Sequence, residues 1–228
     1  MKPPFLLLIF TPFIPLSLAQ CPDLHILTAR ETLAPEGHGS NAPLLSLMFQ
    51  FLSQKSLNVT AEPIPYPASN APSYSNSVTA GIASVVKRTA SFSAICPSTP
   101  VVMLGYSQGA QIIDDAFCGG PDLPSLESGG SLVTGLVRRN TAAIVFMGSP
   151  RFVGGRGRKG EKGNATVGGF AARPKGFRCP LFEDRITSYC DAPDPFCSNG
   201  NDEIYHQAYG DVYAKDALAF ILSKIMLS

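Results

Sequence analysis

Residues 101–117 read VVMLGYSQGAQIIDDAF. Val101, Val102, Met103 and Leu104 form a short continuous apolar run, the pattern of a strand buried on both faces. Ile112, Ile113 and Phe117 then recur at helical spacing. Between the two stands Gly105-Tyr106-Ser107-Gln108-Gly109, a G-x-S-x-G pentapeptide. Alone, that pattern arises by chance, and a glycine-rich turn with an incidental serine would look the same. Flanked by a strand and a helix, it has the setting of a nucleophile elbow. The glycines allow a tight turn and a close approach of strand to helix. The Ser107 hydroxyl is then expected at the end of a sheet, where the helix N-terminus favours negative charge developing on a reacting carbonyl oxygen.

Outward from this unit the alternation continues. Short apolar strands are expected at residues 24–28, 57–64, 101–104, 142–147 and 185–189. Helical spacing marks residues 42–52, 76–92, 108–117 and 132–139. A last amphipathic helix, capped by Asp211, runs through Leu218, Ile221, Leu222 and Ile225. Strands alternating with helices imply a parallel sheet covered on both faces, with right-handed crossovers. The expected fold is one three-layer α/β sandwich with a five-stranded parallel sheet. Residues 154–169, GGRGRKGEKGNATVGG, show no apolar periodicity and read as a mobile surface loop rather than an anion site.

Composition sets the compartment and excludes some partners. Met1 and Lys2 precede an apolar stretch, and Ser17 and Ala19 supply small residues at −3 and −1 of a cleavage site before Gln20. Residues 1–19 are therefore expected to be a signal peptide and residues 20–228 the single functional domain. As a membrane anchor the stretch is too short, and Pro12 and Pro15 interrupt it; a span must cross about 30 Å of hydrocarbon. Of the 18 Lys and Arg, Lys2 leaves with the leader and no acid does, so 17 bases face 17 acids. That balance disfavours nucleic-acid or anionic-membrane binding. All six cysteines (Cys21, Cys96, Cys118, Cys179, Cys190, Cys197) lie in the mature chain, as disulfides on an oxidising route would require. Cys190 and Cys197 close the shortest loop and are the safest pair. The spacings lack paired C-x-x-C units, which disfavours a metal site. Asn58 and Asn164 stand in N-x-T sequons and are candidate glycan acceptors.

A serine nucleophile needs a base and an orienting acid, in the chain order Ser, acid, His. The chain has three histidines, and His25 and His38 precede Ser107. Only His206 follows it. Asp191 and Asp194 both lie in the Cys190–Cys197 loop, where an orienting carboxylate is expected. Asp194, between Pro193 and Pro195, is only slightly the better candidate. The Gln108 backbone N–H is one expected oxyanion donor. Thr32, after the first strand, is a second candidate, and a helix cap is an equal alternative for it.

These residues are similar to those of the cutinase-like serine esterases, and within them to the secreted acetylxylan esterases of carbohydrate esterase family 5. The similarity spans nearly all of residues 21–228. It is carried by Ala29-Arg30-Glu31-Thr32, Tyr74-Ser75-Asn76-Ser77-Val78, Cys96-Pro97-Ser98-Thr99, the Gly105 to Gly109 pentapeptide, Arg173-Pro174, Ser188-Tyr189-Cys190-Asp191, Asp194-Pro195 and His206-Gln207-Ala208-Tyr209-Gly210. The resemblance implies Ser107 as nucleophile, His206 as base and Asp194 as acid, with Thr32 and Gln108 as the oxyanion hole. It implies the pairings Cys21–Cys96, Cys118–Cys179 and Cys190–Cys197. Serine-based acyl transfer needs no cofactor or metal, and a monomer is expected. The resemblance further implies an ester-bearing substrate such as plant cell-wall polysaccharide. Two further bridges of those esterases, near Ala68-Ser69-Asn70 and near the 154–169 loop and Ser198, lack both partners here, so no thiol is orphaned.

Three functions are consistent with this reading. The first is acetyl release from acetylated xylan. The second is cutinase-type hydrolysis of longer-chain or polyester substrates. The third is a non-enzymatic secreted surface or effector protein that kept the fold.

Overall fold

The computed structural model describes residues 20–119, 131–155 and 160–225. The expected signal peptide lies outside them. Six strands, all parallel, form one sheet: β1 (Leu24–Ala29), β2 (Val59–Pro63), β3 (Val101–Tyr106), β4 (Thr141–Met147), β5 (Glu161–Lys162) and β6 (Ile186–Tyr189). Their spatial order is β2-β1-β3-β4-β6-β5. The helices are α1 (Ala42–Ser53), α2 (Tyr74–Ile95), α3 (Gln108–Cys118), α4 (Gly135–Asn140), α5 (Glu203–Val212) and α6 (Ala214–Ile225).

Alternation along each strand builds two cores. Leu24, Ile26, Val102, Leu104 and Val145 face one side and pack with Leu44 and Met48 of α1 and with Leu218 and Ile221 of α6. Leu27, Val101, Met103, Ile144 and Phe146 face the other, against Val78 and Val85 of α2, Ile112, Ile113 and Phe117 of α3, and Val137 of α4. Every residue of β1 and β3 is buried, as apolar runs covered on both faces must be. This is the three-layer architecture expected from the alternation.

Three expectations need correction. The sheet has six strands rather than five, because Glu161 and Lys162 pair with Ser188 and Tyr189. That strand lies inside the 154–169 segment read as a loop. It is held by edge pairing, and by the Glu161 carboxylate accepting the Val153 N–H at 2.6 Å, so no hydrophobic pattern announces it. Residues 156–159 of the segment lie outside the described residues. Asp211 caps no helix: it sits within α5, a separate helix before α6. The mixed polar pattern and Gly210 of EIYHQAYGDV hid that helix.

The six cysteines pair as Cys21–Cys96, Cys118–Cys179 and Cys190–Cys197. The first ties the start of the described chain to the end of α2. The second ties the end of α3 to the segment before β6. The third closes the loop that follows β6. A buried ionic cluster fastens α3 from below. The Arg151 guanidinium donates to both Asp115 oxygens at 2.8 and 3.2 Å, and Arg173 donates to Asp114 at 2.7 Å and Asp115 at 2.9 Å. All four side chains are essentially inaccessible. Arg151 also donates to the Ala171 carbonyl, so the loop after β4 is locked onto the helix.

Candidate active site

Ser107 sits between the last residue of β3 and the first of α3, with φ 52° and ψ −121°. A left-handed conformation at a non-glycine residue costs about 1–3 kcal/mol and persists only where its surroundings impose it. Here the Ser107 N–H is held by the Met147 carbonyl at 2.8 Å. Gly109 is required next: a Cβ there would collide with the Ala29 carbonyl at the end of β1. The turn therefore presents the hydroxyl above the carboxyl ends of the strands, where open α/β sheets bind ligands.

His206 lies in the second turn of α5, a helix whose start is capped by the Asp202 carboxylate accepting from the Ile204 N–H. Its Nε2 is 2.8 Å from Ser107 Oγ, and its Nδ1 is 2.7 Å from Asp194 Oδ2. The structure thus brings together the three residues singled out from the sequence. The imidazole packs against Phe196, with ring centroids 4.5 Å apart. Gly148, at φ 59°, leaves it room: a Cβ there would lie 2.9 Å from both Cε1 and Nδ1.

Asp194, and not Asp191, faces His206. The Asp191 carboxylate instead accepts from the Tyr213 hydroxyl and the Asn164 N–H. Asp194 is fully buried, and its Oδ1 accepts the backbone N–H groups of Phe196 at 2.6 Å and Cys197 at 3.1 Å. Burial alone would raise its pKa. The bond and charge of His206, together with the two backbone donors, outweigh burial and hold it below the usual carboxylate value. The Cys190–Cys197 disulfide closes this loop, so the acid is aimed by covalent constraint as well as by hydrogen bonds.

Gln108 follows the nucleophile, and its side chain is wholly buried. Ser77 Oγ donates to Gln108 Oε1 at 2.8 Å, and Gln108 Nε2 donates to the Ser69 carbonyl at 2.9 Å. This fixes the first turn of α3, with the Gln108 N–H beside Ser107. Thr32 starts no helix; it lies in the turn after β1 and lines the same cleft as Ser107 and His206. Its neighbour Glu31 accepts from the Ser40 N–H and hydroxyl, which pins that turn. The cleft is about 1000 Å³, with Leu33, Tyr74, Phe170 and Phe196 among its walls. Among the described residues no group of three or more His, Cys, Asp and Glu is arranged to hold a metal ion.

Two tyrosines were not singled out from the sequence. The Tyr106 hydroxyl donates to the His206 carbonyl at 2.7 Å and accepts the Tyr209 N–H at 3.2 Å, which anchors α5 to the end of β3. The Tyr209 hydroxyl donates to Asp194 Oδ2 at 2.9 Å. The three-residue spacing from His206 to Tyr209 was the available signal, but it has meaning only once α5 is known to be a helix.

A strained serine turn on a parallel sheet, with an imidazole and a carboxylate in line behind it, is the arrangement of the α/β-hydrolase class of serine hydrolases. The chain belongs to the Cutinase family, whose sequence pattern matches residues 20–225, and with it to the serine carboxylester hydrolases. It is 42% identical over 213 residues to acetylxylan esterase 2 of Talaromyces purpureogenus, covering 90% of this chain and 88% of that one. It is 40% identical over 212 residues to cutinase 11 of Verticillium dahliae, covering 90% and 70%. Its fold superposes on the catalytic core domain of acetyl xylan esterase from Trichoderma reesei with a TM-score of 0.84, at 40% identity, covering 90% of this chain and all of that one.

Proposed function

We propose that the protein is a secreted esterase that removes acetyl groups from acetylated xylan through an acyl-enzyme. The observation that carries this reading is the line Ser107 Oγ, His206 Nε2, His206 Nδ1, Asp194 Oδ2, with separations of 2.8 and 2.7 Å, at the floor of an open cleft. His206 takes the Ser107 proton as Oγ attacks the ester carbonyl. Asp194 holds the imidazole in one orientation and stabilises the imidazolium. The Gln108 N–H and Thr32 stabilise the tetrahedral oxyanion. His206 then gives its proton to the departing sugar oxygen, which leaves as a hydroxyl, and the acetyl group stays on Ser107. Water, losing a proton to His206, attacks this acyl-enzyme, and acetate leaves as His206 returns that proton to Ser107 Oγ. This route uses no cofactor.

Secretion is supported by the three disulfides, which suit an oxidising compartment, and by the leader-like residues 1–19. Exposed Asn58 and Asn164 are the proposed glycan acceptors. Among the described residues no helix is long and apolar enough to cross a membrane.

A second reading, hydrolysis of longer acyl chains or polyesters, is favoured by the apolar rim, where Leu33 is 68% and Phe170 61% exposed. The deciding experiment compares wild type with Ser107→Ala for acetate release from acetylated xylan, and compares aryl acetate with aryl hexanoate. The proposal expects acetate release that falls by several orders of magnitude in the variant. A wild-type preference for hexanoate would favour the second reading. Absence of organophosphorus labelling at Ser107 would overturn both and favour a non-enzymatic role.

A further inference from the structure

We infer that Tyr209 is a positioning residue for Asp194, its hydroxyl setting how much of the carboxylate's charge is available to His206. The inference rests on the reading of Ser107, His206 and Asp194 as the reacting set. Asp194 Oδ2 is shared by two donors, His206 Nδ1 at 2.7 Å and the Tyr209 hydroxyl at 2.9 Å. The other oxygen is occupied by two backbone N–H groups. The direction of the phenol proton is fixed, because the same hydroxyl oxygen accepts the Asp191 N–H at 2.9 Å. An amide nitrogen can only donate, and the one other neighbour of the hydroxyl, the disulfide sulfur of Cys197 at 3.4 Å, is a far weaker acceptor than a carboxylate oxygen at 2.9 Å, so the hydroxyl proton points to Asp194. The ring has little freedom: it is 1% exposed, stacks on Tyr213 at 6.0 Å and meets Tyr106 at 6.2 Å. Burial, reinforced by the Asp194 charge, lifts the phenol well above its usual pKa, so it remains a donor throughout the working range.

A buried tyrosine needs only some partner for its hydroxyl, and a carbonyl would serve. Tyr209 instead competes with the imidazole for one carboxylate oxygen. Removing that competitor leaves Oδ2 more basic toward His206 and stabilises the imidazolium. The other titratable groups facing this centre keep their places in such a change. They are Tyr106 from β3, Asp191 and Tyr213 on the far side of Tyr209, Asp211 farther along α5, Glu203 at the start of α5, and Glu31 in the turn after β1, the two glutamates lining the cleft.

The test is the pH dependence of kcat/KM for an aryl acetate, with the full chain and Tyr209→Phe. The acidic limb should move up by about half a pH unit, with the plateau lowered less than tenfold and organophosphorus labelling of Ser107 retained. A purely structural role would lower the plateau and leave the limb in place, and that result overturns the inference. Because phenylalanine strands the Asp191 N–H and could impair folding, 3-fluorotyrosine at position 209 supplies the opposite perturbation. It keeps both bonds with a stronger donor, so the limb should move down, and an unmoved limb overturns the inference. Failure to label wild-type Ser107 overturns the reading beneath it and the inference together; labelling with an unmoved limb overturns the inference alone.

Discussion

Gly148→Ala places one methyl group against the imidazole. The added Cβ would lie 2.9 Å from Cε1 and Nδ1 of His206 and 3.2 Å from Cε2 of Tyr209. Ordinary carbon contacts begin near 3.5 Å, so the ring must give by about 0.5–1 Å. It cannot retreat freely, since Phe196 lies 4.5 Å away and Tyr106 holds the His206 carbonyl. The displacement is therefore taken up in the 2.7 and 2.8 Å bonds to Asp194 and Ser107. A misplacement of this size costs on the order of 100-fold in turnover. Stability should suffer far less, because alanine at φ 59° costs about 1 kcal/mol, or roughly 2–4 °C in a domain this large. The assay is kcat and KM on an aryl acetate beside a thermal melt. A kcat within twofold of wild type, with an unchanged fold, would refute the argument that the imidazole has no slack.

Other outcomes follow from the same contacts. Replacing Cys190 and Cys197 together by serine should cost about 2 kcal/mol in urea unfolding, from loop entropy over a separation of 7 residues. It should depress kcat further, by freeing the Asp194 loop. Arg151→Met leaves the buried Asp115 carboxylate short of its bidentate partner and should destabilise by about 3–5 kcal/mol in urea; a loss below 1 kcal/mol would contradict the cluster's role. His25, 5% exposed and stacked on Phe92 at 3.8 Å, has its pKa lowered by burial from 6.5 to about 4. The folded state therefore resists protonation. The stability is fully present above pH 6.5 and is lost as pH falls from there toward 4, by on the order of 2 kcal/mol after screening by solvent around the ring is allowed for. His25→Gln should flatten that slope in pH-dependent urea midpoints. The depressed Asp194 acts in a lower window: its contribution is complete above the ordinary carboxylate pKa and disappears as pH falls through the folded value.

What could be read from the sequence depended on whether local pattern and tertiary role coincided. The unit from Val101 to Phe117 was legible because its apolar run, glycines and helical spacing each state the same structure. His206 was legible by elimination, since chain order left one histidine. Asp194 and Asp191 were not separable by residue chemistry; what divides them is which side of the closed loop each carboxylate faces. The β5 strand was invisible because it is two charged residues, held by backbone pairing and by the polar contacts of Glu161 and Lys162, with no apolar periodicity to mark it. The α5 helix was missed because its buried positions are His206, Tyr209 and Gly210, none of which scores as hydrophobic periodicity. With that helix went the roles of Tyr106 and Tyr209, which depend on a strand end and a helix meeting across 100 residues of chain.

The two rims of the sheet have a consequence for behaviour at high concentration. An open parallel sheet ends in unpaired backbone donors and acceptors that another chain could adopt as a template. On one rim β2 is five residues long, ends at Pro63, and carries Glu62 in an ion pair with Arg88. On the other, β5 is two residues long and carries Lys162 in an ion pair with Asp216. A strand arriving at β5 would meet a charged pair and too few free amides to grip, and one arriving at β2 would meet the Glu62–Arg88 pair and a proline with no N–H to offer. The brevity that hides β5 in the sequence thus guards the molecule against growing into fibres.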